Sequence, residues 1–131
     1  MITNFSSYAL KVEDLDDAVA FYVKHFEARP CASGGVFGCN YASVNVADTM
    51  VYFFDKALYE NAIGRVLPYG YLHAVFEVYD FEHHIEAMTC AGVSLVMEPQ
   101  LVEASFGTRK IAFFETPGGV RTEIMKIISD G

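Results

Sequence analysis

The chain has no tryptophan, four prolines, three cysteines, and nine basic residues against seventeen acidic ones. Each shortage excludes something. The formal net charge of −8 argues against nucleic acid as a partner, because phosphate binding needs a basic surface. Cys31, Cys39 and Cys90 are odd in number and show no C-x-x-C spacing, which argues against a disulfide framework or a structural zinc site. They read instead as small buried or half-buried thiols. No apolar run approaches the roughly 20 residues that cross a bilayer. Met1-Ile2-Thr3-Asn4 lacks the basic start and apolar core of a signal peptide, so a cytoplasmic location is expected.

What the chain does have is apolar mass and repetition. Hydrophobic residues make up 53% of its 131 positions, with 11 Phe and 8 Tyr, enough for a real core. Residues 7–19 and 73–85 say the same thing 66 positions apart. An alternating segment (Tyr8, Leu10, Val12; Ala74, Phe76, Val78) runs into an Asp (Asp14; Asp80), and an amphipathic helix pattern follows. A duplication at half the chain length predicts two like modules packed about a pseudo-twofold axis. Where the second copy has His73, the first has Ser7.

The first module, about 4–55, predicts a strand at 5–12 and then a helix with Asp14 as N-cap. Its stripe of Leu15, Ala18, Val19, Tyr22 and Phe26 faces the core, and Pro30 stops it. Strands follow near 32–37, 39–46 and 49–54, with Ala47-Asp48 as a tight turn. A linker of about 56–70 reads as loop. The second module, about 71–128, repeats the order: a strand at 71–78, a helix at 81–91 capped by Asp80 and stopped by Gly92, and strands near 94–97, 108–115 and 120–127. The fold class is therefore α+β, a βαβββ–βαβββ chain in one domain over 1–131.

Strand side chains alternate between faces, so one face covers a helix and the other is free to line a hollow. Ser7, Met50, Tyr52, Phe54, His73, Glu123 and Met125 fall on the free face. Tyr52 is placed by counting from Ala47-Asp48, and a one-residue slip would put Val51 there. A concave apolar pocket with few convergent polar groups is the usual form of a small-molecule site. His73 and Glu123 suit either a divalent metal or an acid/base pair. His25, His83 and His84 read as solvated helix residues. Thr108-Arg109-Lys110 reads first as a strand start at the surface and second as a group that meets an anionic substrate at a cavity mouth.

The duplication, the Val-x-Asp-Leu entry into the first helix with Phe21-Tyr22, and Pro117-Gly118-Gly119-x-x-x-Glu123 together resemble the vicinal oxygen chelate superfamily. That superfamily includes glyoxalase I, methylmalonyl-CoA epimerase, extradiol dioxygenases and the bleomycin-resistance proteins. The resemblance covers nearly the whole chain. It implies paired βαβββ modules curling into a half-open sheet around a cavity, commonly in a homodimer. It also implies metal ligands at Ser7, Tyr52, His73 and Glu123, of which only His73 and Glu123 match the family's pattern; Tyr52 is the one candidate for a third ligand.

Two readings follow. In the first, the protein resembles the bleomycin-resistance proteins and binds a small aromatic or amphipathic molecule through Ser7, Met50, Tyr52, Phe54, His73 and Met125. In the second, it is a divergent metal-dependent lyase, isomerase or dioxygenase using Zn, Ni, Mn or Fe, with Glu123 ligating or moving a proton. Neither reading calls for a membrane.

Overall fold

The structure, a computed structural model, describes residues 1–130. Its elements run β1 (Ile2–Lys11), α1 (Leu15–Phe26), β2 (Arg29–Val36), β3 (Cys39–Val46), β4 (Thr49–Phe54), α2 (Glu60–Ile63), β5 (Gly70–Val78), α3 (Phe81–Cys90), β6 (Gln100–Ala104), β7 (Gly107–Thr116) and β8 (Val120–Asp130). The eight strands form one curved sheet in the order β2-β3-β4-β1-β5-β8-β7-β6. No helix among the described residues is long and apolar enough to cross a membrane.

Helices α1 and α3 start where the carboxylates stand. Asp14 accepts from the Asp17 N–H at 3.0 Å, and Asp80 from the His83 N–H at 3.1 Å. Each cap satisfies a donor that the first helical turn leaves free. Leu15, Ala18, Val19 and Tyr22 lie against Val44, Val51 and Phe53 on the outer face of the first module. Ile85 and Met88 do the same against Ala112, Phe114 and Ile124 in the second. Phe26 leaves that stripe and is exposed, because Glu27 turns into the left-handed region at φ 55° and ends the helix there.

The duplication is visible in the strand register. β1 and β5 run antiparallel at the centre, with Ser7 opposite Val75 and Ala9 opposite His73. The pairing therefore maps Ser7 onto His73 and Ala9 onto Val75, as the internal repeat requires. On the flanks, parallel β4 places Tyr52 beside Ala9, and parallel β8 places Glu123 beside Val75. Tyr52 and Glu123 thus occupy equivalent places in the two modules.

Three sequence expectations change. The strand near 94–97 is absent apart from a single bridge from Leu95 to Phe114, and β6 lies later, at Gln100–Ala104. The apolar run Leu95-Val96-Met97 drew attention there, but Val96 and Met97 pack as an irregular segment against the core. The linker contains the one-turn helix α2 rather than loop alone. β2 begins at Arg29 and carries Pro30, which an edge strand tolerates because its outward side needs no donor.

The two sheet edges also meet. Ser105, at the β6–β7 turn, donates to the Ser33 carbonyl of β2 at 2.9 Å and bonds the Tyr41 hydroxyl of β3. The curved sheet is nearly a closed tube, and its inside is a cavity.

Candidate functional site

The concave face encloses a cavity of about 230 Å³. Ser7, Met50, Tyr52, Phe54, His73, Glu123 and Met125 all line it. Their convergence follows from the β3–β4 turn. Ala47 and Asp48 both have positive φ, 48° and 67°, and Asn45 Oδ1 accepts from the Asp48 N–H at 3.2 Å. Such a two-residue turn fixes the register. Thr49 therefore pairs with Val46 and Tyr52 with Ser43. Phe53 then points to α1 and stacks edge-on against Tyr22, leaving Tyr52 inward with its ring centroid 6.3 Å from that of Phe54.

The polar end of the cavity is built on His73. Its Nε2 lies 3.1 Å from Glu123 Oε1, and its Nδ1 lies 2.9 Å from the Tyr59 hydroxyl. Tyr59 comes from the linker, just before α2, and is fully buried with its ring 4.8 Å from that of Phe113. Burial pushes the Tyr59 phenol up to about 12, with Arg121 opposing the rise and Glu123 adding to it. Burial likewise pushes Tyr52 up to about 12, with Arg109 opposing. Both phenols keep their protons at neutral pH.

The description Glyoxalase/Bleomycin resistance protein/Dioxygenase superfamily belongs to the family model that matches residues 4–124. The chain is a member of that superfamily. Among curated proteins no relative matches the sequence. Among solved structures, the methylmalonyl-CoA epimerase from Mycobacterium tuberculosis superposes with a TM-score of 0.77 at 19% identity, covering 98% of this chain and 90% of that one. A variant of the Streptomyces coelicolor methylmalonyl-CoA epimerase, in complex with 2-nitronate-propionyl-CoA, gives 0.78 at 21% identity, covering 98% and 100%. A hypothetical protein from Bacillus halodurans C-125 gives 0.77 at 17%, covering 98% and 96%. At these identities the likeness is one of fold.

Members of the glyoxalase superfamily commonly use divalent metals, so the donor set of this chain decides how far that extends here. Among the described residues no three His, Cys, Asp or Glu side chains come together. His73 and Glu123 are two donors, Ser7 replaces the imidazole that would answer His73, and Tyr52 is a phenol held protonated. Two protein ligands fall short of the three or four that a resident zinc or similar ion takes. The residues present do not fit a resident metal.

Sequence reading left several contributors out of the site. Phe106 and Arg109 line the cavity although Arg109 was expected at the surface. The Arg109 guanidinium lies over the Phe106 ring, 5.4 Å from its centroid, and donates to the carbonyls of Phe106, Thr108 and Ser129. Leu58 and Tyr59 come from the linker that read as plain loop. Their signal was weak: Leu58-Tyr59 is one of several apolar pairs in that connection, beside Ala62-Ile63 and Val66-Leu67, and nothing local singles it out. Cys39 is buried with its thiol pushed up to about 11 by desolvation, so it is a packing residue rather than a nucleophile. Cys31 and Cys90 are exposed and not half-buried as expected.

Proposed function

We propose that the protein binds a small flat aromatic or amphipathic molecule, with His73 and Glu123 as its polar anchors and Ser7, Met50, Tyr52, Phe54 and Met125 as its walls. The observation that carries this reading is the cavity itself, about 230 Å³ walled mainly by rings, thioethers and aliphatic chains. An apolar cavity of about 150 Å³ holds benzene, so this one has room for a substituted ring or two fused rings. A pocket filled by the protein's own side chains, serving only an interface, would leave no such room. Tyr52, Phe54 and Phe106 supply faces and edges for stacking, each worth about 0.5–1.5 kcal/mol beyond area. A thermal-shift screen of aromatic metabolites and antibiotics tests it. A ligand at 100 times its Kd adds about 2.7 kcal/mol, and a panel with no shift counts against binding.

The competing reading is a lyase, isomerase or dioxygenase acting on adjacent substrate oxygens. Glu123 favours it: a carboxylate beside an imidazole in an apolar cavity is a competent general base. A metal-dependent version lacks protein donors beyond two. Elemental analysis of protein purified without chelators decides between them. Less than about a tenth of an equivalent of Mn, Fe, Ni or Zn, with no uptake on titration, removes the metal version. In either reading the working form is a homodimer.

A further inference from the structure

Tyr59 has one hydroxyl proton and two acceptors within reach. The Leu72 carbonyl is 3.4 Å away and His73 Nδ1 is 2.9 Å away. Hydroxyl donors bond at about 2.5–3.0 Å, so the proton belongs on the line to Nδ1. The alternative, with Nδ1–H donating to the phenol, would leave the buried hydroxyl only the longer contact. Over the Tyr59 ring sits Arg121, with its Cζ 5.3 Å from the ring centroid and its Nε buried without a partner among the described residues. A phenol oxygen that gives its proton to His73 keeps its lone pairs for this cation.

A neutral imidazole carries one ring proton. With Nδ1 accepting, that proton is on Nε2, the nitrogen 3.1 Å from Glu123 Oε1. The nitrogen facing Glu123 is therefore a donor, and it has no lone pair to offer a metal. Glu123 Oε1 lies 3.1 Å from His73 Nε2, and the carboxylate accepts no hydrogen bond among the described residues. Arg109, a cation in the cavity wall, directs its Nη atoms to three backbone carbonyls and to Asp130. Glu123 is thus an acceptor without a hydrogen-bond partner at the polar end of the cavity, whose other polar wall groups are the hydroxyls of Ser7 and Tyr52.

We infer that Tyr59 is a positioning residue that holds His73 as the Nε2–H tautomer, and that the acceptor end this creates selects a planar ligand presenting an N–H donor, a cationic one above all. This rests on the cavity being the ligand site. Its two parts are measured separately. Long-range nitrogen–proton correlation spectra of the intact protein read the tautomer directly: His73 Nδ1 should resonate as an unprotonated ring nitrogen and Nε2 as a protonated one. The opposite assignment overturns the role of Tyr59. In Tyr59→Phe the Nδ1 signal should move toward the average of exchanging tautomers, a change that loss of packing alone does not produce.

The ligand class is read with three probes on one ring, benzamidine, benzamide and benzoate, by calorimetry. Benzamidine should bind at least about tenfold tighter than benzoate, because a charge-assisted bond replaces a repulsion. Glu123→Gln should collapse that preference. Equal binding, or benzoate ahead, overturns the donor selection while leaving a ligand site. If none of the three binds, both the selection and the ligand reading fail, and the tautomer still stands on its own spectra.

Discussion

Lys11 and Glu60 are nearly inaccessible to solvent, and their charged ends lie 3.2 Å apart under the linker. Lys11 also donates to the Leu67 carbonyl at 2.7 Å, and Glu60 accepts from the N–H groups of Ala57 and Leu67. One ion pair therefore ties β1 to both ends of the segment that carries Tyr59. Glu60→Ala would leave Lys11 charged and buried, and we expect a loss of about 3–5 kcal/mol in urea melts. Burial alone would raise the Glu60 carboxyl; the bonds from Ala57, Lys11 and Leu67 outweigh it and hold it below 4.5. A depressed folded-state value means the contribution is complete above that pH and lost as pH falls through the folded value. Wild type should therefore lose more stability on acidification below about pH 4.5 than Glu60→Gln does. Equal acid sensitivity would show that Glu60 does not drive it. The cavity residues were legible because period-two alternation forces them inward together. Lys11 read only as the face opposite the helix, since its partner sits 49 positions away and alternation says nothing of that.

The β6–β7 hairpin is the element that sequence reading placed least well, and it is the one that closes the cavity. β6 has one buried apolar residue, Val102, between exposed Leu101 and Glu103, too short an alternation to stand out. The hairpin tip carries Phe106, whose ring lies 5.2 Å from that of Tyr41 and 6.0 Å from that of Tyr52. Ser105 fastens this tip to β2, and the edges also lie close at Gly34, where a Cβ would meet Ser105 Oγ at 3.3 Å. A tip held by two side-chain bonds is the part of the sheet most ready to open locally. Ser105→Ala removes both bonds and should cost about 1–3 kcal/mol in global stability, at about 0.5–1.5 kcal/mol net for each. Amide exchange should accelerate at residues 104–107 and stay unchanged in β5 and β8. Unchanged exchange at the tip would show that packing of Phe106, not Ser105, holds the closure. The α1 and α3 elements sit where they were placed, with Phe26 alone leaving its stripe, because an Asp cap and a 3.6-period stripe are local signals. The β2–β6 contact joins residues 72 apart and leaves no local trace.

At the scale of the whole molecule, the meeting of β2 and β6 removes one argument for a partner and leaves another. Uncovered sheet edges would call for a second copy, but here the edges bond to each other. The apolar surface remains. Ile2, Phe5, Ile127 and Ile128 are exposed near the start of β1 and the end of β8, with Phe5 edge-on to Phe76. Phe21 and Phe26 are exposed on α1, where Phe21 stacks with His25. With 53% hydrophobic residues in 131, a lone chain cannot hide every large side chain, and clusters of this kind mark contact surfaces. We expect a twofold homodimer burying more than roughly 1,200 Å² in total. Phe5 is the sharper probe because its ring reaches out from a strand whose inward residues line the cavity. Phe5→Glu should shift the protein toward the mass of one chain in light scattering and leave its fold intact, since the side chain is half exposed. Wild type should run at twice the 14.5 kDa of the chain at micromolar concentration. A wild-type mass near 14.5 kDa that does not rise on concentrating would overturn the dimer. A dimer unaffected by Phe5→Glu would move the interface to the aromatic side of α1, where Phe21→Glu becomes the deciding variant.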